Sequence, residues 1–137
     1  MASLTAPSAR RLAALLLPPL AWMAVIFVLS GQPSDEVDRA WWDVVLRKMA
    51  HVTEYAVLTA LWWRALRALD VGRPLAGAIG IALLYAASDE WHQTFVDGRT
   101  GTPVDVLIDA VGMALAALVI TVYARRRTRG PSRPMAA

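Results

Sequence analysis

Residues 12–29 read LAALLLPPLAWMAVIFVL, eighteen positions without a charge. At about 1.5 Å of rise per residue, a helix of this length nearly matches the hydrocarbon thickness of a bilayer and reaches the usual threshold for a spanning segment. The composition around it agrees. Of 137 residues, 57% are hydrophobic and only 18% charged, which is more apolar surface than so short a soluble chain can hide. An apolar stretch near an N-terminus can also be a cleavable signal. Here no small-x-small site stands near Ser30, and an even number of spans needs this one, so the stretch reads as a retained span.

The remaining apolar runs reach spanning length only when their polar ends are included. The expected helices are 12–30, 48–67, 74–94 and 104–124, which makes the fold class all-α: a polytopic membrane protein with four transmembrane helices in an antiparallel bundle. Residues 10–127 form the membrane domain, with flexible ends at 1–9 and 128–137. Arg10, Arg11, Arg64, Arg67, Arg73, Arg125, Arg126, Arg127, Arg129 and Arg133 then fall on one side, 10 of the 14 basic residues. The positive-inside rule makes that side cytoplasmic, so both termini are expected inside a multi-pass protein of the inner (plasma) membrane. Every acidic residue except Asp70 lies on the opposite, outer side.

The same distribution excludes several classes. A pI near 10 and a net charge of +3 would suit nucleic acid, but the basic residues flank apolar helices, where topology accounts for them, and no nucleic-acid module is present. Nucleic acid is therefore not an expected partner. Cysteine is absent, which rules out disulfides and thiolate metal sites. Pro18 and Pro19 interrupt the backbone donors of the first span and are expected to kink or loosen it. Residues 31–47, with alternating charges and the pair Trp41 and Trp42, read as a short amphipathic segment at the outer headgroup level.

Three spans carry their ionisable residues at one end only, and an antiparallel bundle brings those ends to one level. Lys48, His51, Glu54 and Tyr55 share a face of the second helix; Tyr85, Ser88, Asp89 and His92 form a stripe on the third; Asp105 and Asp109 continue into Gly112 and Ala116 on the fourth. Ionised groups in hydrocarbon are costly, so these should face the bundle interior, where small residues allow close helix approach. Glu90 and Gln93 lie around the third helix from Asp89, and Arg99 stands in the loop after it.

These residues resemble the VanZ-like family of small bacterial membrane proteins. The similarity runs over residues 22–123 and rests on Ser30-Gly31-Gln32, on Lys48, His51, Glu54 and Tyr55, on Ser88, Asp89, Glu90, His92, Gln93 and Phe95, and on Arg99, Asp105 and Asp109, in that order. Asp97 stands where members often have proline. The resemblance implies an envelope protein, with some members linked to low-level teicoplanin resistance, and implies no particular reaction.

The chemistry has several open readings. His51, Glu54, Asp89 and His92 are the candidate catalytic residues of a membrane-embedded hydrolase or transferase, an imidazole acting as acid or base beside a carboxylate. Lys48, Glu90, Gln93, Arg99, Asp105 and Asp109 are the candidate contacts for a lipid-linked, amphiphilic or anionic headgroup, with Arg99 able to grip an anion bidentately. The nitrogen and oxygen donors also suit a divalent metal as cofactor. The bland alternative is a self-neutralising polar network that sets helix register. A Ser88-His92-Asp89 triad lacks the glycine-flanked elbow of a serine nucleophile. A transporter is disfavoured by the lack of an inverted repeat.

Overall fold

A computed structural model describes residues 7–33, 40–99 and 101–128. Four helices account for most of them: α1 (Ala9–Ser30), α2 (Trp41–Ala68), α3 (Pro74–Gln93) and α4 (Pro103–Thr128), with no strand among the described residues. The fold class is all-α, as the sequence indicates. Of the expected flexible ends, residues 1–6 and 129–137 lie outside the described residues.

Cross-helix hydrogen bonds define the alternation of direction. Arg11 Nη2, at the start of α1, donates to the Ala68 carbonyl at the end of α2 (2.9 Å). Ser30, ending α1, meets Asp89 near the end of α3; His51, early in α2, meets Asp109, early in α4. The helices therefore alternate, and α2 packs against all three others, most extensively against α4. The centre is filled by Ile26, Tyr55, Leu58, Ala82, Ala86 and Met113.

One expectation changes. Residues 41–47 are not a separate segment along the headgroups but the first two turns of α2; residues 34–39 lie outside the described residues. Neither glycine nor proline occurs between Ala40 and Lys48, and Asp43 in the first turn complements the helix dipole. The edge of a hydrophobic run marks where hydrocarbon would end, not where helical hydrogen bonding must end. Meanwhile α1 continues as helix through Pro18 and Pro19.

At the opposite end, α2 closes on a residue in the left-handed region. Asp70 has φ 55°, its N–H reaches the Arg67 carbonyl (3.2 Å), and Val71 N–H reaches back to Leu66 (3.1 Å). This double bond pattern satisfies carbonyls left open at a helix end, and aspartate tolerates the conformation better than most side chains.

Two helices, α1 and the Pro103–Arg127 part of α4, are long and apolar enough to cross a membrane. The polar last turns of α3 and the charges scattered along α2 keep those two helices out of that class. Many large apolar side chains nevertheless face outward, while several polar ones are buried. Leu84 is 76% and Leu107 67% exposed, while Asp89, Glu90, Gln93 and Asp109 are buried. So broad an apolar exterior is not what a soluble monomer presents to water.

The close approach of α2 and α4 depends on Gly112. A Cβ there would collide with the Val52 carbonyl and crowd the Ala56 amide, both backbone groups of α2. The sequence expectation of a small-residue face leading away from Asp109 is met at this point.

Candidate functional site

The polar end of the bundle is assembled from the start of α2, the end of α3, the α3–α4 turn and the start of α4. The last of these begins with a reciprocal cap. Pro103 takes the first helical position, where its missing N–H costs nothing. Thr102 Oγ1 accepts from the Asp105 amide (3.3 Å) and donates to Asp105 Oδ2 (2.7 Å). The Thr-x-x-Asp spacing is an N-terminal capping signal readable in the sequence. Gly101 lets this turn press on α3, since a Cβ there would strike the Glu90 carbonyl. Thr102 N–H consequently reaches Glu90 Oε2 (3.2 Å).

Three groups of interactions occupy this end. At the rim, Lys48 Nζ pairs with Asp105 Oδ1 at 3.0 Å. Deeper, His51 Nδ1 meets Asp109 Oδ1 at 3.1 Å, with the Asp109 side chain fully buried. Toward α1, Asp89 is satisfied on both oxygens: Ser30 donates to Oδ1 (2.5 Å) and Gln93 Nε2 to Oδ2 (3.2 Å), and the same amide also donates to Glu90 Oε1 (3.2 Å). The half-buried Glu54 carboxylate lies in the electrostatic field of His51, Asp89, Asp109 and Arg99, and the Glu54 carbonyl accepts from Trp22 Nε1 (2.9 Å).

The sequence-derived residues thus divide by role. His51, Glu90 and Asp109 come together, each offering a ligand atom within 4.8 Å of the others. His92 instead stacks on Phe27 of α1 with ring centroids 4.3 Å apart. Ser88 donates to the Tyr85 carbonyl one turn back (2.7 Å) and faces outward, so it is not poised as a nucleophile. Tyr85 ties α3 to α1 by donating to the Met23 carbonyl (2.6 Å).

The contacts of Arg99, expected to hold an anion, include Gln32 O from Nε (2.9 Å), Leu29 O from Nη2 (3.2 Å) and Gln93 Oε1 from Nη1 (3.4 Å). A cation at the carbonyl end of α1 complements that helix dipole. Arg99→Lys should therefore lower stability by about 1 kcal/mol, since an ammonium cannot reproduce the planar fork. Thermal melting in detergent checks this. Unchanged melting combined with weakened ligand binding would favour the anion-contact role over this structural one.

Beside the cluster, an open cleft of ≈ 440 Å³ runs between α3 and the start of α4, lined by Ala87, Glu90, Trp91, Thr94, Thr102 and Val106, among others. Its lining is mainly apolar. Glu90 belongs to both the cleft and the His51–Asp109 group.

The VanZ/LLP1 family profile matches residues 5–124. The chain belongs to the VanZ/LLP1 family. The match spans all four helices, so the clustered residues, the cap on α4 and the cleft all fall inside the VanZ/LLP1 region. No curated protein and no solved structure matches the chain.

Proposed function

We propose that this VanZ/LLP1 protein is a four-span protein of the bacterial plasma membrane whose polar end opens outward and binds the headgroup of a lipid-linked or similar amphiphile. The reading is supported chiefly by Glu90, which lines the apolar cleft on one side and touches the buried polar group on the other. A ligand with an acyl or prenyl chain would lie along Ala87, Trp91 and Val106, and its head would meet an acceptor-rich cluster. Such a cluster favours heads that carry hydroxyl or amine donors. An effect on teicoplanin susceptibility follows if the bound species is a cell-wall precursor.

The broad apolar exterior supports the membrane placement, and α3, at 20 residues, has a length of about 30 Å, enough to span. Basic residues at the start of α1, around the α2–α3 turn and at the end of α4 support cytoplasmic termini. Reporter fusions at residue 130 and near residue 40 are expected to give opposite locations, cytoplasmic and external. An external reporter at residue 130 would overturn the orientation.

Binding is tested with a fluorescent polyprenyl-linked sugar and the protein in nanodiscs. Saturable binding is expected, with Ala87→Trp weakening it at least tenfold, about 1.4 kcal/mol, by filling the cleft. Absence of saturable binding, or indifference to Ala87→Trp, would reject the reading. The His51–Asp109 hydrogen bond favours a second reading, a hydrolase or transferase in which Asp109 orients an imidazole base. Mass analysis of the amphiphile after incubation separates the two: an unaltered mass supports binding alone.

A further inference from the structure

We propose that His51, Glu90 and Asp109 form a binding site for one divalent transition-metal ion, Zn²⁺ or Mn²⁺. The site goes beyond the amphiphile reading and stands or falls separately from it. Its three side chains come from three different helices, and one candidate ligand atom from each lies within 4.8 Å of the other two. Ligands about 2.1 Å from a shared ion stand roughly 3.4 Å apart at tetrahedral angles, so the observed triangle is an open form that side-chain rotation can contract.

Two buried atoms point to a missing partner. Asp109 Oδ2 has no hydrogen-bond partner although the side chain is fully buried, and the hydroxyl of Tyr55, a residue with no exposed surface, has none either. Tyr55 follows His51 by one turn of α2, with the two rings near parallel and their centroids 6.4 Å apart. Its hydroxyl lies in the field of Asp89, Asp109 and Glu90. Orphaned buried polar atoms are costly; of the five among the described residues, these two stand beside the potential ligand set, where an ion and its bound water would satisfy both.

Charge and donor chemistry agree. Lys48 is matched to Asp105 at the rim, and Asp89 is satisfied by Ser30 and Gln93. Glu54, Glu90 and Asp109 all lie in the field of His51, which carries at most a single positive charge. A divalent ion would balance the two carboxylates that could ligate it, Glu90 and Asp109. One imidazole with two carboxylates suits zinc or manganese and is too hard a donor set for a copper(I) site. Three protein ligands also leave a coordination position for water or for a ligand oxygen. Because Glu90 also lines the cleft, the ion would stand next to any headgroup bound there, where it would attract a phosphate that the carboxylates alone repel.

The test uses full-length protein purified in detergent, stripped with chelator, dialysed separately against Zn²⁺ and Mn²⁺, and analysed by elemental mass spectrometry together with thermal melting. One ion per chain is expected for at least one of the two metals, together with a higher melting temperature. Glu90→Gln and His51→Gln should each weaken binding at least tenfold, and Asp109→Asn likewise. Asp97→Asn, in the exposed α3–α4 turn, should bind as the native chain does. Melting of the metal-free variants reports whether each folds, and any one of the three that melts cooperatively suffices. Substoichiometric binding of both metals to the native chain would overturn the site, as would binding that persists in a folded ligand variant.

Discussion

Replacing Gly112 by leucine is expected to abolish the native bundle. The Cβ alone would collide with backbone atoms of α2, at the Val52 carbonyl and the Ala56 amide, and backbone cannot move aside as a side-chain tip can. Overpacking in a core ordinarily costs about 1–3 kcal/mol, and more where nothing can rotate away. α2 and α4 share the largest helix–helix interface, so separating them also pulls His51 from Asp109. Gly112→Leu should yield aggregated or protease-sensitive protein, and Gly112→Ala should already be clearly destabilised. Gly80 is the control. A Cβ there meets nothing within 4 Å, so Gly80→Ala should be neutral or gain about 0.5–1 kcal/mol from the helix preference of alanine. Size-exclusion profiles and denaturation followed by tryptophan fluorescence measure both. Equal behaviour of Gly112→Ala and Gly80→Ala would contradict the tight crossing.

The second large effect separates two carboxylates that look alike in the sequence. Asp89 is 2% exposed and bonded through both oxygens, to Ser30 of α1 and Gln93 of its own helix. Asp109 is fully buried with one oxygen bonded and the other open. Asp89→Ala removes a charge-assisted link between α1 and α3, at about 2–3 kcal/mol. In metal-free protein, Asp109→Asn keeps an acceptor for His51 and should change stability by less than about 1 kcal/mol. Asp89 would then be a structural lock and Asp109 a residue of the site. The same denaturation assay decides this, and a larger loss for Asp109→Asn than for Asp89→Ala would reverse the assignment.

Much of this site was legible because the ionisable residues on each helix recur at helical spacing. Lys48, His51 and Tyr55 had to share a face of α2, as Asp105, Asp109 and Gly112 had to share one of α4, and short connections had to bring like ends together. The capping role of Thr102 was also there to be read in Thr-Pro-x-Asp. Other roles depended on atoms with no sequence neighbour in common. Nothing in the spacing of His51 and His92 shows that one meets Asp109 while the other stacks on Phe27. Likewise, nothing around Arg99 shows that its fork reaches carbonyls at the end of α1.

What the sequence determined by itself is which stretches and faces are apolar and how far along its helix each polar residue lies. Both are one-dimensional quantities, set by hydrophobic periodicity and by position along a helix of known rise. The start of α2 escaped that reading because hydropathy records the edge of an apolar run and backbone hydrogen bonding does not stop there. The tertiary structure decided how the helices turn about their axes and which side chains fill which gaps. Helix rotation is set by contacts such as Gly112 against Val52 and Ser30 against Asp89, where an ångström of displacement changes who is paired. It is that rotation which leaves Asp109 Oδ2 and the Tyr55 hydroxyl without partners beside Glu90, a consequence of three-dimensional packing that no linear pattern carries.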